Sequence, residues 1–503
     1  MSPTGVRSSV VSGPRVGSGV TDWSLMPLPR PAPMPDRTRT LLILPSFVVL
    51  ALVAAAWFSG LLRADFWADD FTNLSLYNHS VGDLTNTARN DGKYTINVFW
   101  WLGTVAFGTG SALPFIMVVS AVTVIGVVLW LRAGVPESWG QVQAWWVAAA
   151  LAATSTPLGI LLWASNIVHA VSFLSLGIAF AAHRRAQASA TVRGGVAWSA
   201  AGAAAWLLLI VSNPLYLGAL LLAVVFGVRE YRGWITRAWP APRTRKVAAL
   251  ITLLAQAGIP SMYFVLVAYP RTTSRSSYST FGFGEIRGNV QFYMDRLAPT
   301  WWGLAVAVSI VLAAGVLTIV RARVDVFPLT LMISAAAIAG PVFMQGQQRA
   351  DHYLAVPVLL VLSALAAAVG ARGTRGAWAQ SPVVRVAGVS AALLSLFVLF
   401  DSSSGVRAWW TTTPLGSQLS EARDRVAEET SAGDPLCVEL EMSDAASSAF
   451  LAGIGGEAGL QLPPVLAGTA TYVGPGECSG SAHTVQVFDD LGMYRAVVLG
   501  EGG

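Results

Sequence analysis

The sequence predicts an all-α polytopic membrane protein of about eleven transmembrane helices, with a small extracytoplasmic α/β domain at its C-terminal end. Three observations predict it. Of the 503 residues 54% are hydrophobic and only 12% charged, and the mean hydropathy is +0.58, more apolar surface than a soluble fold can hide. The apolar residues gather in runs long enough to cross a bilayer. The basic residues favour alternate connecting segments. Together these exclude a soluble enzyme, a disordered chain and a coiled coil, and 19 Trp suit a chain with many membrane interfaces.

Residues 1–40 are rich in Pro, Ser, Gly and Arg and show no periodicity, which predicts a disordered cytoplasmic tail. The run Leu41–Leu62 opens the transmembrane domain, 41–401; as a helix it would extend about 33 Å, too long and too late for a secretory signal. Further spans are expected at 111–131, 143–157, 158–182, 196–211, 213–228, 247–268, 301–320, 326–345, 353–370 and 386–401, the runs either side of Pro157 and Pro214 forming hairpins. Thr95–Thr109 is apolar too, but as a helix it reaches only about 22 Å, short of a hydrocarbon core of about 30 Å.

Charge settles the reading of 95–109. If it does not cross, the segments 1–40, 132–142, 183–193, 229–246, 321–325 and 372–385 face the cytoplasm, and they hold 20 of the 32 Lys and Arg but 5 of the 27 acids. That is a strong positive-inside pattern, and it collapses if 95–109 crosses. The segment therefore reads as an interfacial or re-entrant helix on the outer face. The net charge of +5 is a topology signal, and no nucleic-acid partner is implied. Three outer pieces remain: a first loop, 63–94; a second, 269–300; and a soluble domain, 402–503, with 4 basic and 13 acidic residues. In that domain the strings LCVEL, HTVQVF and RAVVLG alternate with Gly/Pro turns, and a helical stretch is expected near 419–430. Cys437 and Cys478 are the two cysteines, and an oxidising exterior makes them a disulfide candidate.

Polar residues collect at the outer ends of the spans, and no acid or base is expected deep within a span, where ion-coupled transporters place them. The first loop carries Phe66-Trp-Ala-Asp69-Asp70-Phe71, an acid pair flanked by aromatics at the interface. Such flanks lower the local dielectric and raise a carboxylate's basicity, which suits a general base; taken alone, the pair also reads as a solvated helix cap. Lys93 opens the short helix, where an ammonium and a helix N-terminus can meet a phosphate together. Arg271 and Arg275 in the second loop, and Arg349 and His352 in the string Gln345–Tyr353, run against the positive-inside trend. Arg holds phosphate bidentately, though each singly also reads as a headgroup binder. Within the spans, Asn166 and His169, and Asn213 and Tyr216, are pairs three residues apart that could line a sugar pocket or bond helix to helix. No nucleotide-binding glycine motif and no HExxH zinc motif occurs.

The ensemble resembles the GT-C superfamily of integral-membrane glycosyltransferases, which includes protein O-mannosyltransferases, aminoarabinose transferases and actinobacterial arabinosyl- and mannosyltransferases. The resemblance covers about residues 41–400. It rests on a cytoplasmic tail leading into one span, Ala68-Asp69-Asp70-Phe71 in the first outer loop, Lys93 before an aromatic apolar stretch, the hairpins at Ser155-Thr-Pro-Leu and Ser212-Asn-Pro-Leu-Tyr, a long outer loop and a final soluble domain. Relatives with a loop lysine often follow it with prolines, whereas Lys93-Tyr94-Thr95 does not. The resemblance implies an inverting hexosyl or pentosyl transfer, from a polyprenyl-phosphate sugar to a hydroxyl of a glycan, lipid or protein acceptor, at the outer face of the cytoplasmic membrane. It implies Asp69 as base with Asp70 in reserve, Lys93, Arg271, Arg275 and Arg349 on the donor phosphate, and Asn166, His169, Asn213, Tyr216 and His352 about the sugar or acceptor. A calcium or magnesium ion is compatible with the acid pair, but nothing has metal-site spacing and no metal ligand is assigned. A ligase or polymerase of lipid-linked glycans, a lipid or polysaccharide transporter and a non-catalytic scaffold are the alternatives.

Overall fold

The structure, a computed structural model, describes residues 36–61, 94–108, 111–134, 141–236, 247, 250–251, 254–268, 282–298, 300–322, 325–344, 351–370 and 396, and four strands between 436 and 499. Its helices are α1 (Asp36–Leu61), α2 (Tyr94–Phe107), α3 (Leu113–Gly134), α4 (Gln141–Ala153), α5 (Ser155–Leu161), α6 (Ile167–Ala188), α7 (Val192–Ser212), α8 (Leu220–Thr236), α9 (Ile259–Tyr263, between π turns Leu254–Gly258 and Phe264–Ala268), α10 (Glu285–Leu297), α11 (Trp301–Ala322), α12 (Phe327–Met344) and α13 (Ala355–Gly370). Short 3-10 turns at Ala164–Asn166, Pro214–Ala219 and Asp351–Leu354 lead into α6, α8 and α13.

Seven described segments are long and apolar enough to cross a membrane: Leu113–Gly134, Ala164–Ala188, Val192–Ser212, Pro214–Trp234, Trp301–Ala322, Phe327–Met344 and His352–Val369. The chain is a multi-pass membrane protein. Ile43–Phe58 and Leu254–Val267 are shorter apolar helices. The expected span 143–157 is divided: α4 ends at Ala153, Thr154 turns its hydroxyl back to the Leu151 carbonyl at 2.7 Å, and α5 starts anew at Ser155. Of the expected span 386–401 only Leu396 is described.

Contacts fix the helix directions. Gly126 of α3 lies against Phe173 and Leu174 of α6, and further along Trp130 meets Phe180 at 5.0 Å, so α3 and α6 run parallel. In α7, Gly202 lies beside Ala182 while Trp206 meets Phe226, so α7 returns against them. Helix α8 runs with α6, pairing Tyr216 with His169 and Phe226 with Phe180. Helix α12 returns, Phe327 meeting Phe226 and Ala337 meeting Gly218. Helix α13 descends again, from His352 beside His169 to Ser363, which accepts the Trp130 indole N–H at 2.9 Å. The core between these helices holds a cluster of buried aromatics, Phe180, Phe226 and Phe327 in mutual contact, with Trp130 against Phe180 and Trp206 against Phe226.

Helix α2 meets α3 differently. Phe99, Trp100 and Phe107 all contact the one ring of Phe115, at 5.7, 5.0 and 5.7 Å, and a Cβ at Gly103 would overlap the same ring. A helix running alongside α3 would spread those contacts over successive turns, so α2 lies across the start of α3. Its buried side carries Asn97 and Trp100, while Val98, Leu102 and Val105 are exposed.

In the C-terminal segment, strands β1 (Leu436–Glu441), β2 (Ala470–Val473), β3 (His483–Asp490) and β4 (Met493–Leu499) form one sheet of order β2-β1-β3-β4. Strand β1 is parallel to both neighbours, Leu436 pairing with Ala470 and with His483, and β3 and β4 form an antiparallel hairpin. The strings LCVEL, HTVQVF and RAVVLG fall on β1, β3 and β4. The helix expected near 419–430 lies outside the described residues.

Candidate functional site

One end of the bundle collects the short elements: α5, the three 3-10 turns and α10. The Pro at 214 starts its turn naturally, because a ring at the first helical position loses no hydrogen bond. Asn213 caps that turn, its Oδ1 accepting from the Leu215 N–H at 3.1 Å. The turn delivers Tyr216, 1% exposed, to His169 in the first turn of α6, 3% exposed, with the hydroxyl 2.5 Å from Nδ1. Asn166 ends the 3-10 turn before α6 and donates through Nδ2 to the Gly159 carbonyl at 2.8 Å, tying α6 to α5. On the other side of Gly159, a Cβ would come 3.8 Å from the Cβ of His352.

His352 completes the cluster. Its ring lies edge-on to His169 at 4.7 Å, edge-on to Trp163 at 5.4 Å and tilted against Tyr353 at 4.6 Å. Tyr353 also meets His169, at 5.4 Å, and packs with Tyr293 of α10 and Val342 of α12. Helix α10 is held over this end by the Asn289 Nδ2 bond to the Phe343 carbonyl, 2.7 Å, and by the Gly282 N–H to the Met344 carbonyl, 3.1 Å. The Asn213 Nδ2 is buried with no partner among the described residues. The result is a buried cluster of aromatic rings with imidazole, phenol and amide groups.

The structure thus brings His169, Tyr216 and His352 into direct contact, with Asn166 and Asn213 on the adjoining turns. The other expected site residues, Asp69, Asp70, Lys93, Arg271, Arg275 and Arg349, lie outside the described residues, as does Cys478; Cys437 is on β1. Trp163 belongs to the cluster without having been singled out; its place beside Asn166 in an otherwise apolar run is the signal that points to it.

A second polar group, which sequence reading misses, lies at the opposite end. The Glu230 carboxylate, fully buried, accepts from His183 Nδ1 at 2.8 Å, Ser199 Oγ at 2.5 Å and Gln256 Nε2 at 2.9 Å. Beside it Arg229 pairs with Asp325 at 2.7 Å and covers the Phe327 ring at 4.9 Å. Glu230 lies just beyond the expected span 213–228, near the end of α8, which continues to Thr236. Among the described residues no group of three or more His, Cys, Asp or Glu is placed to hold a metal.

No protein-family model matches the chain. No curated protein matches it either. Among solved structures it is similar to ArnT from Cupriavidus metallidurans bound to undecaprenyl phosphate, at 14% identity and a TM-score of 0.47 over 88% of this chain and 92% of that one. It is similar also to the apo state of ArnT from the same organism, at 15% identity and a TM-score of 0.46 over 81% of this chain and 84% of that one.

Proposed function

We propose that the protein is an inverting membrane glycosyltransferase that moves a sugar from a polyprenyl-phosphate donor to an acceptor hydroxyl at the outer face of the cytoplasmic membrane, in cell-envelope glycan or glycoconjugate synthesis. The observation that carries the reading is the convergence of Asn166, His169, Tyr216 and His352 at one end of the spans. Helix α6 runs from that end towards His183–Arg193, a segment the charge distribution assigns to the cytoplasm. The polar cluster is then extracytoplasmic. The crossing of α2 over the start of α3 supports a non-crossing 95–109, on which the same assignment depends. The N-terminal tail is cytoplasmic in this reading, and residues 402–503 form an extracytoplasmic domain built on the mixed sheet.

The transfer follows from the residue types. The donor's lipid tail lies among the apolar helices and its phosphate at the interface. A bond forms between the acceptor oxygen and the anomeric carbon as the bond from that carbon to the phosphate oxygen breaks. The phosphate leaves with the electron pair, and Lys93, Arg271, Arg275 and Arg349 stabilise its growing charge. Asp69 takes the acceptor's proton on the opposite side, with Asp70 orienting it. The His169 cluster binds the sugar or the acceptor. A transporter reading would look to Glu230 as an intramembrane acid, but that carboxylate is already bonded to three donors of this chain.

Purified protein in detergent, given a radiolabelled polyprenyl-phosphate sugar and a panel of glycan, lipid and peptide acceptors, is expected to release free polyprenyl phosphate and a labelled acceptor. Binding of the donor with no transfer to any acceptor, together with its movement across proteoliposomes, would replace this reading with the transporter.

A further inference from the structure

We propose that Glu230 is a positioning residue: through α6 and α8 it holds the His169–Tyr216 contact at the far end of the bundle and thereby sets the rate of the proposed transfer, on which this inference rests for its functional part. Three donors on three elements converge on one fully buried carboxylate: His183 of α6, Ser199 of α7 and Gln256 of the first π turn. A buried carboxylate stripped of such partners is costly, so the network selects one arrangement of these segments. The His183 ring is held further, stacked on Phe226 of α8 at 4.2 Å with planes 6° apart.

Register connects the two ends. His169 and Tyr216 are 47 residues apart, and so are His183 and Glu230. Helix α6 is thus fastened at two points 14 residues apart, about 21 Å along its axis, to Tyr216 on the turn that leads into α8 and to Glu230 on α8 itself. Between the fastenings Phe180 stacks on Phe226 at 5.3 Å. A slide of α8 along α6 that loosens the lower contact also carries the turn that holds Tyr216. The π turn adds its own constraint, because such turns rotate the residues after them relative to a regular helix; Gln256 leaves this turn towards Glu230 and lies against Gly202 of α7. None of these four side chains belongs to the His169 cluster, so any effect on it passes through the helices.

The test places 3-fluorotyrosine at position 216 of the full-length protein in lipid nanodiscs and reads its fluorine resonance together with transfer kinetics. Glu230→Leu is expected to move the resonance and to lower kcat about tenfold at unchanged donor KM, the scale of coupling through packed elements. Ser199→Ala, a milder change, is expected to act in the same direction by about twofold. Glu230→Gln is expected to restore both readouts, because the Gln256 amide can turn to offer Oε1, and the Ser199 hydroxyl can turn to accept, from the new amide N–H groups while Oε1 of the new side chain still accepts from His183, which keeps all three hydrogen bonds. Arg185→Gln, which removes a cation–π contact with Trp198 apart from both clusters, should leave both readouts unchanged. An unmoved resonance in folded Glu230→Leu overturns the proposal; where that variant does not fold, an unmoved resonance in Ser199→Ala does so. A resonance that moves in a protein whose wild type transfers no sugar keeps the positioning and removes the transferase reading.

Discussion

The Tyr216 hydroxyl and the His169 Nδ1 meet at 2.5 Å inside the bundle, joining a 3-10 turn to the first turn of a spanning helix. Tyr216→Phe withdraws the hydroxyl and leaves the ring shape. Loss of a buried hydrogen bond that strands its partner costs about 1–3 kcal/mol. A double-mutant cycle with His169→Phe, followed by denaturant unfolding in detergent, is expected to give a coupling of about 1 kcal/mol. Strictly additive effects would mean that the two groups are near but not bonded.

The α3–α6 contact makes a second prediction. A Cβ at Gly177 would overlap the Gly126 carbonyl, and one at Gly126 would overlap the backbone at Phe173 and Leu174. Backbone cannot step aside as a flexible side chain does, so the helices must part. Overpacking of this kind costs about 1–3 kcal/mol. Gly126→Ala and Gly177→Ala are each expected to lower the thermal midpoint in detergent. The double variant should cost less than the sum, because one separation relieves both clashes. A midpoint unchanged in either single variant would show that the helices do not touch there.

The polar cluster is the part of the site that sequence makes legible. His169, Asn166, Asn213 and Tyr216 stand out because each interrupts an apolar run, and a polar group in lipid must find protein. The detail is less legible: Asn166 and His169 read as one helical face, yet Asn166 ends a separate 3-10 turn and points back to Gly159. Glu230 is invisible to such reading for a different reason. Hydropathy marks a span's end where charge begins, at Arg229, whereas the helix continues because its next turn is buried by neighbours far away in sequence. Helix α10 lies within what reads as a loop, since Ile286, Val290, Tyr293 and Leu297 form a short stripe too weak to outweigh its charges. The strings that fall on β1, β3 and β4 are legible by alternation, but their order β2-β1-β3-β4 is not, because parallel pairing joins segments through long connections.

Cys437 lies on β1, the central position of the parallel pairs, and Cys478 between β2 and β3 in sequence. In an oxidising exterior a Cys437–Cys478 bridge is expected, and its removal typically costs about 2–5 kcal/mol in a small secreted domain. Peptide mass spectrometry under non-reducing conditions should find the linked pair. Free thiols at both positions would remove the bridge and weaken the exterior assignment of residues 402–503.

The donor phosphate supplies a fourth expectation. Arg349 precedes His352, a member of the His169 cluster, by three residues in the sequence. Lys93→Ala, Arg271→Ala, Arg275→Ala and Arg349→Ala are expected to impair use of the lipid donor with the fold retained. The loss should be largest where the cation meets the phosphate directly, since charge-assisted bonds are roughly twice as strong as neutral ones. Donor kinetics unchanged in all four variants would place the phosphate elsewhere.

Asp69→Asn is the most direct test of the chemistry. The amide keeps the side chain's shape and most of its hydrogen bonding but cannot take a proton. General-base catalysis contributes typically about 10²–10⁴-fold, equivalent to about 3–5 kcal/mol of barrier. Turnover in Asp69→Asn is therefore expected to fall by that order, while the donor still binds. Asp70→Asn should be milder, since an orienting carboxylate is partly replaced by an amide that still accepts a hydrogen bond. A reversed order of severity would exchange the proposed roles of the two acids, which are adjacent in the sequence. Transfer of labelled sugar by purified variants distinguishes the cases. Full turnover in both would leave the acceptor hydroxyl without a base at the first outer loop, and the glycosyltransferase reading would then give way to the transporter.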